Sequence, residues 1–148
     1  MNFNALHQQN QPLLLANVWD ASSAQAAQQA GYQALGSSSA AIAAMLGYKD
    51  GEEMSFDELL YIVSRIKAVS ELPLSVDLEA GYSATTSHII DNIQRLAHLG
   101  VSGINLEDSH VVNNTRRLDD AVVFAAKIQE ITHACPDMFV NVRTDTFL

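Results

Sequence analysis

The sequence contains 148 residues, of which 48% are apolar and 17% charged, with a formal net charge of −9 and a pI near 4.7. This composition is typical of a globular protein with a real core and excludes a disordered chain. The acidic balance argues against a nucleic-acid partner, whose binding surface would be basic. The single cysteine, Cys135, excludes a disulfide within the chain and a multi-cysteine metal site.

The N-terminal stretch MNFNALHQQNQ has neither the basic region nor the apolar region of a secretion signal. The longest early apolar run, PLLLANVW, is too short to span a membrane. No linker or low-complexity tract divides the chain. We therefore expect a single domain over residues 1–148, a cytoplasmic location and no membrane partner.

The first half of the chain alternates between strand-like and helix-like segments. They are, in order, a strand at LLLANVW (13–19), a small-residue helix at ASSAQAAQQAG (21–31), a short strand at YQALGSS (32–38) and an alanine-rich turn or helix at AAIAAMLG (40–47). Ser55 and Glu58 then form an S-x-x-E capping box, which predicts a helix that ends near Ser70. Its apolar residues recur at i, i+3, i+4 and i+7, as on one face of an amphipathic helix.

The second half continues the same alternation. The segments are a strand at LSVDLEA (74–80), a helix that Thr85 or Thr86 caps and Gly100 ends, a strand at VSGINLED (101–108), a helix striped by Ala121, Phe124, Ile128 and Ile131, and a fifth strand at MFVNVRTD (138–145). The strands lack the strict polar alternation of a sheet with one wet face. This pattern predicts parallel strands joined by helical crossovers.

Two α/β architectures fit this pattern, a doubly wound sheet and a (β/α) barrel. No G-x-G-x-x-G or P-loop motif follows the first strand, so the nucleotide-binding version of the doubly wound sheet loses its main support. We therefore predict a (β/α)8 barrel of the TIM type. Such a barrel needs about 250 residues, so this chain corresponds to the first five β/α units.

Charged side chains gather at three successive strand ends of the predicted barrel, where α/β enzymes place their active sites. They are Asp77 and Glu79, then Glu107 and Asp108, then Arg143 and Asp145, with Asp50 in the loop after the second strand. Asp77 and Glu79 share one strand face, which is costly for two like charges unless a cation lies between them. Helix capping by strand-end residues is the alternative, but Glu79 and Glu107 lie too early for caps, and glutamate is not favoured there.

Converging acidic oxygens favour a hard cation, by default Mg²⁺ with Mn²⁺ as the alternative, whose remaining positions an anionic substrate would take. Other catalytic systems find less support. The five histidines show no ligand spacing, no lysine ends a strand as a Schiff-base nucleophile would, and the serines lack a nucleophile-elbow frame. Trp19, at the end of the first strand, either lines the mouth of the barrel or packs in the core.

Five motifs together resemble the phosphoenolpyruvate mutase/isocitrate lyase superfamily, and most closely its shorter mutase-like or oxaloacetate-decarboxylase-like members. The motifs are NVWDASSAQAAQQAGYQAL, GYKDGEEMS, DLEAGYS, GINLEDS and NVRTD. The resemblance implies an α-oxo or 2-hydroxy acid chelated to Mg²⁺, with a metal-stabilised pyruvate enolate forming as a C–C or P–C bond breaks or forms.

The same resemblance assigns roles to individual residues. Asp77 is the expected direct Mg²⁺ ligand, and Asp50, Glu79 and Glu107 are expected to hold the metal through waters. The residues that the resemblance implies for substrate binding are Ser38, Ser39, Ala40 and Arg143, and we add Trp19 to the expected substrate-binding residues because of its place at the end of the first strand. The residues expected to take part in catalysis are Arg143, Glu107 and Asp50.

One departure from the superfamily lies after the L-E-D strand. The isocitrate and methylisocitrate lyases carry a K-[KR]-C-G-H-type loop there, whereas this chain has SHVVNNTRRL, without cysteine. A thiol-dependent lyase is therefore not expected, although Asn113, Asn114, Arg116 and Arg117 could form a polar gating loop. The alternative function is a non-catalytic fragment that at most binds metal or associates with itself. We expect a homo-oligomer, because the first and fifth strands would be unpaired apolar edges.

Overall fold

The structure is a computed structural model that describes residues 3–113 and 115–147. The strands are Leu15–Val18 (β1), Ala34–Ser37 (β2), Leu74–Asp77 (β3), Gly103–Glu107 (β4), Ser109–Val112 (β5), Thr115–Leu118 (β6) and Phe139–Arg143 (β7). The helices are Phe3–His7 (α1), Ala21–Gln29 (α2), Ser39–Leu46 (α3), Phe56–Lys67 (α4), Thr86–His98 (α5) and Ala121–Ala134 (α6).

Five of the strands form one parallel sheet in the order β1-β2-β3-β4-β7. Each neighbouring pair is parallel, and the helices α2 to α6 lie in the connections, so the predicted α/β class with helical crossovers is confirmed. The register sets Asp77 beside Asn105 and Glu107 beside Arg143. The carboxyl ends of these strands therefore meet at one edge of the sheet.

The main core lies between the sheet and the helices. Alternate strand residues such as Leu35, Val76 and Ile104 are buried there. The helical residues that pack in the same cluster include Ile42, Leu59, Val63, Ile66, Ile89, Ile93 and Leu96. The residues between these apolar ones in β3, β4 and β7 are polar, and Asn141 Nδ2 donates to Asn105 Oδ1 at 2.8 Å across that second face. Alternation thus sends the polar side chains away from the helical core.

The short helix α1 packs at the opposite end of the sheet from the charged residues. Phe3 and Leu6 are buried there against Ala34, Leu15 and Phe139, which lie at or near the starts of their strands. Gly103, the first residue of β4, permits this contact, because a Cβ there would lie 2.8 Å from Phe3 Cε1. The sequence analysis did not predict α1.

Helix boundaries follow the predicted capping residues. Ser55 Oγ accepts from Glu58 N at 3.3 Å while the Glu58 side chain accepts from Ser55 N at 2.8 Å, so the capping box is confirmed. Thr85 occupies the N-cap position of α5, although its side chain makes no capping hydrogen bond. The alanine-rich segment after Ser38 is a helix that ends in a left-handed Gly47.

Two features differ from the sequence expectations. The strand expected over 74–80 ends at Asp77. Backbone hydrogen bonds to β4 continue as far as Glu79, but Glu79 has φ +51° and turns the chain away from the sheet. The segment 109–118, expected to be a loop, contains β5 and β6, which pair antiparallel outside the main sheet. Asn114 of the expected gating loop lies outside the described residues. Within the described part of the chain, no helix is both long enough and apolar enough to cross a membrane.

Candidate functional site

Asp77, the last residue of β3, has one carboxylate oxygen that accepts hydrogen bonds and one that accepts none from the described residues. Its Oδ2 accepts from Ser39 Oγ at 2.6 Å and from Ser39 N at 3.4 Å, and its backbone N–H donates to Ser37 Oγ at 2.8 Å. Its Oδ1 is buried and has no hydrogen-bond partner among the described residues. An unpaired buried acceptor of this kind costs free energy, so Oδ1 is suited to a ligand that the protein itself does not supply.

Glu79 lies beside Asp77 and is almost completely buried. The pKa of Glu79 is raised to about 7, mainly by burial and also by the negative charges of Asp50, Glu52 and Asp77, while a hydrogen bond from the Tyr82 hydroxyl acts in the opposite direction. Three carboxylates thus act on a fourth, Glu79, and the nearby charges of Lys127 and Arg143 act on Glu52 and Asp77 rather than on Glu79. A bound divalent cation would relieve this repulsion.

The loop between α3 and α4 supplies two of these carboxylates. Asp50 is exposed, whereas the Glu52 carboxylate turns inward and accepts from Tyr82 N at 2.8 Å. Burial raises the pKa of Glu52, and backbone N–H groups of Tyr82, Ala80 and Gly81 oppose that shift. The sequence analysis missed both Glu52 and Tyr82, although each lies two or three residues from a predicted site residue, in the motifs GYKDGEEMS and DLEAGYS.

Glu107, at the end of β4, lies in an arginine–carboxylate network formed by Glu107, Asp145, Arg116 and Arg143. Arg116 Nη1 donates to Glu107 Oε1 at 2.6 Å and to Asp145 Oδ2 at 3.0 Å. Arg143 pairs through Nη2 with Glu107 Oε2 and through Nε with Asp145 Oδ1 at 2.9 Å. Each oxygen of Glu107 therefore already faces a guanidinium group. Burial raises the pKa of Glu107, and the two arginines oppose this effect.

Ser109 adds a neutral member to this network. Its hydroxyl lies 2.7 Å from Arg116 Nη1 and donates to Asp145 Oδ2. These contacts, together with those of Arg143, keep the pKa of Asp145 below its usual value although burial acts in the other direction. The sequence analysis assigned Arg116 only to a gating loop, because nothing in its position along the chain shows that it reaches Glu107 and Asp145.

The remaining predicted residues lie at the starts of α2 and α3. Ser38 is the N-cap of α3, where its Oγ accepts from Ala41 N at 3.3 Å, and Ala40 is exposed in the first turn. Ser39 is buried against Asp77. Trp19 is 41% exposed and lines a groove along the β1 edge that also includes Tyr32. The structure thus brings Ser39 into contact with Asp77, whereas Trp19 lines a different groove, at the β1 edge.

A cleft of about 440 Å³ lies beside the acidic residues. Glu52, Glu79 and Glu107 line it together with His110 and Lys127. In residues 3–113 and 115–147, no three His, Cys, Asp or Glu side chains are arranged to hold a metal ion by themselves. A cation at Asp77 would thus have few direct protein ligands, which is the usual situation for Mg²⁺ with its retained waters.

The sequence matches a known protein family over nearly all of its length. Residues 3–148 match the phosphoenolpyruvate phosphomutase family. The chain is 35% identical to an uncharacterized protein of Mycobacterium tuberculosis over 99% of this chain and 54% of that protein. It is 28% identical to 2-methylisocitrate lyase of Escherichia coli over 97% of this chain and 51% of the enzyme. The chain therefore spans about half the length of these curated relatives.

Solved structures show the same architecture. A candidate phosphonomutase from Burkholderia cenocepacia superposes with a TM-score of 0.91 at 39% identity, over 98% of this chain and 60% of that chain. Phosphoenolpyruvate phosphomutase from Streptomyces platensis has a TM-score of 0.88 at 21% identity and shows the shared fold. The predicted TIM-barrel-type fold is confirmed by these neighbours, of which this chain covers a little more than half. The chain belongs to the phosphoenolpyruvate phosphomutase family, within the phosphoenolpyruvate mutase/isocitrate lyase superfamily.

Proposed function

We propose that this chain carries the metal-binding part of a Mg²⁺-dependent lyase or mutase that acts on a C–C or P–C bond of a small α-oxo or 2-hydroxy acid. The observation that carries the proposal is the buried Oδ1 of Asp77, which has no hydrogen-bond partner among the described residues and lies near Glu79, whose carboxylate Asp50 and Glu52 repel. Asp77 would bind the cation directly, and Asp50, Glu79 and Glu107 would hold its waters. Bound there, Mg²⁺ would stabilise the negative charge that develops on the substrate as the bond breaks or forms.

The other site residues provide contacts for an anionic substrate. Ser38, Ser39 and Ala40 lie at the start of α3, where the positive end of the helix favours a carboxylate, although the backbone N–H groups of Ser38 and Ser39 already donate to Val18 O and Asp77 Oδ2. Arg143 holds its planar guanidinium beside Asp145 through Nε and beside Glu107 through Nη2, and its remaining N–H groups would donate to a carboxylate or a phosphonate. The substrate would therefore lie between the start of α3 and the end of β7, at the edge where Asp77 lies.

The Escherichia coli relative named 2-methylisocitrate lyase supports C–C bond cleavage as one form of this chemistry. The absence of a cysteine from 109–118 separates this chain from the thiol-dependent form of that reaction. We therefore propose a substrate that needs no thiol acid, such as an oxo diacid or a phosphonate.

We also propose that the chain associates with copies of itself in the cytoplasm. Exposed apolar side chains lie in or near its two edge strands: Val142 of β7 is 48% exposed, Leu14 directly before β1 is 71% exposed, and Phe147 after β7 is 95% exposed. Exposed apolar strand edges recruit further chains, because their backbone groups and side chains have no partner.

A substrate screen tests the proposed activity. The chain would be incubated with α-oxo and 2-hydroxy acids, phosphonates included, in Mg²⁺ and separately in EDTA, and the release of pyruvate would be measured. Mg²⁺-dependent turnover that Asp77→Asn abolishes would support the enzyme. Mg²⁺ binding without turnover of any acid would favour the non-catalytic alternative, and turnover unaffected by EDTA would contradict the proposal.

A further inference from the structure

Tyr82 lies between the two loops that carry the site carboxylates. Its backbone N–H donates to Glu52 Oε1 at 2.8 Å, and its phenolic O–H donates to Glu79 Oε1 at 2.8 Å. Glu52 follows Asp50 by two residues, and Glu79 follows Asp77 by two residues. One residue thus connects the two segments of chain that bring four carboxylates together.

The backbone around Tyr82 adopts a conformation that side-chain-bearing residues rarely adopt. Glu52, Glu79 and Tyr82 have φ of +62°, +51° and +58°, and Gly81 has φ of +111°. The left-handed region costs free energy for a residue with a Cβ, so it persists only where surrounding contacts hold it. Asn92 Nδ2 donates to Gly81 O at 3.1 Å and supplies one further contact of this kind.

The hydroxyl of Tyr82 orients the Glu79 carboxylate, which accepts no side-chain hydrogen bond from any other described residue. Glu79 Oε1 accepts the Tyr82 O–H, and Oε2 accepts no hydrogen bond from any described residue. The ring of Tyr82 is itself fixed, since it packs against Phe56 with ring centroids 6.1 Å apart. Glu79 Oε2 is therefore the oxygen free to meet a cation or its water.

We propose that Tyr82 is a positioning residue of the cation site: its hydroxyl orients Glu79, and its backbone N–H anchors Glu52 and with it the loop that carries Asp50. This inference rests on the proposed function, because it assumes that the carboxylates hold a cation. Groups that orient the residues around a metal typically contribute 10- to 100-fold, that is about one to two orders of magnitude, to its affinity. A purely structural tyrosine would instead affect folding and leave the affinity for Mg²⁺ unchanged.

Calorimetric titration of the full chain with Mg²⁺ tests this role. Tyr82→Phe removes only the hydroxyl and keeps the ring, so we expect Kd for Mg²⁺ to rise roughly 10- to 100-fold. Tyr48→Phe is the matched control, because the Tyr48 hydroxyl donates to Glu58 at 2.9 Å, in the capping box of α4. Tyr48→Phe should leave Kd unchanged, and unfolding curves in EDTA show whether each variant is folded.

A double-mutant cycle separates orientation of Glu79 from a general loosening of the loop. If Tyr82 acts through Glu79, the hydroxyl deletion should have little further effect in a Glu79→Gln background, because interacting residues are not additive. Additive effects on Kd would overturn the inference, as would a Tyr82→Phe variant that binds Mg²⁺ like the wild type. If Tyr82→Phe does not fold, Glu52→Ala must weaken Mg²⁺ binding instead, and unchanged binding by that variant would overturn the inference equally.

The Asp77→Asn variant distinguishes failure of this inference from failure of the proposed function. If Asp77→Asn binds Mg²⁺ like the wild type, the cation site itself is wrong. If Asp77→Asn loses Mg²⁺ while Tyr82→Phe retains it, the cation site stands and only the role of Tyr82 is refuted.

Discussion

Removal of Arg116 should destabilise the fold measurably, because its Nη1 atom joins Glu107, Ser109 and Asp145. Glu107 and Asp145 are buried, and among the described residues Arg116→Ala would leave Arg143 as the one cationic partner of both. Hydrogen bonds to charged groups are worth about 1.5–3 kcal/mol each, and loss of one partner of a buried pair costs roughly 3–5 kcal/mol.

The remaining arginine and the solvent reduce this cost. The Arg116 side chain is 27% exposed, so water can replace part of what is lost, and Arg143 continues to pair with Glu107. We therefore expect a loss of about 2 kcal/mol in the free energy of unfolding. For a chain of this size that corresponds to a decrease of roughly 4–8 °C in Tm.

Arg117→Ala provides the control for this experiment. Arg117 is the next residue of β6, so its side chain points to the other face of the pair of strands, and it is exposed. Its removal should change stability by less than about 0.5 kcal/mol, as is usual for surface substitutions. Both variants would be unfolded in urea and by heat without metal. Equal stabilities of Arg116→Ala and Arg117→Ala would refute the energetic importance of the arginine–carboxylate network.

Three further outcomes follow from the structure. The pKa of Glu79 is raised from 4.5 to about 7, so between these values the folded state binds more protons than the unfolded state. Without metal, the free energy of unfolding should therefore fall by on the order of 3 kcal/mol as the pH rises from about 5 to 7. Glu79→Gln should flatten this dependence, and an equal slope of unfolding free energy against pH in the wild type and the variant would contradict it. Gly103→Ala should cost roughly 1–3 kcal/mol in urea unfolding through its clash with Phe3, and the cost should be smaller in a Phe3→Ala background. In sedimentation the chain should be larger than a monomer, and Val142→Lys with Phe147→Ser should reduce its size; a compact wild-type monomer would disprove self-association through these edges.

The general architecture could be predicted from the sequence because local patterns determine it. The buried positions Leu59, Ile62, Val63 and Ile66 of α4 have helical spacing, and the Ser55–Glu58 capping box marks the start of that helix. The apolar strands between such helices leave few alternatives to a parallel sheet. These signals depend on neighbours in the sequence, so no contact across the fold is needed to read them.

The parts that were missed depend on contacts between distant segments. Helix α1 exists because Phe3 packs against Gly103 and Phe139, about a hundred residues away in the chain. The pairing of β5 with β6 brings Arg116 to Glu107, and no periodicity indicates this. The path of the chain after Asp77 could not be predicted either, because Glu79 and Tyr82 take left-handed conformations that the sequence favours only at glycine.

The sequence predicted which site residues lie near one another better than it predicted their hydrogen-bond and ion-pair partners. In the structure Ser39 donates a hydrogen bond to Asp77, and Glu107 lies beside Arg143 on the neighbouring strand, as the strand order implies. The partners themselves came from outside the strand ends, namely Glu52 and Tyr82 at Glu79 and Arg116 at Glu107. The metal, substrate and catalytic roles of Asp50, Asp77, Glu79, Glu107, Ser38, Ser39, Ala40, Trp19 and Arg143 stay predictions.

The affinity of the chain for Mg²⁺, measured by calorimetry for the wild type, Asp77→Asn and Asp91→Asn, tests the cation site most directly. Asp77→Asn keeps the shape of the side chain but removes its negative charge, including that on Oδ1, which no described residue hydrogen-bonds. Asp91, by contrast, is an exposed carboxylate on α5. We expect the wild type and Asp91→Asn to bind Mg²⁺ with the same Kd and Asp77→Asn to show no binding. Binding of Mg²⁺ by Asp77→Asn with the Kd of the wild type would contradict the assignment of Asp77 as the metal ligand.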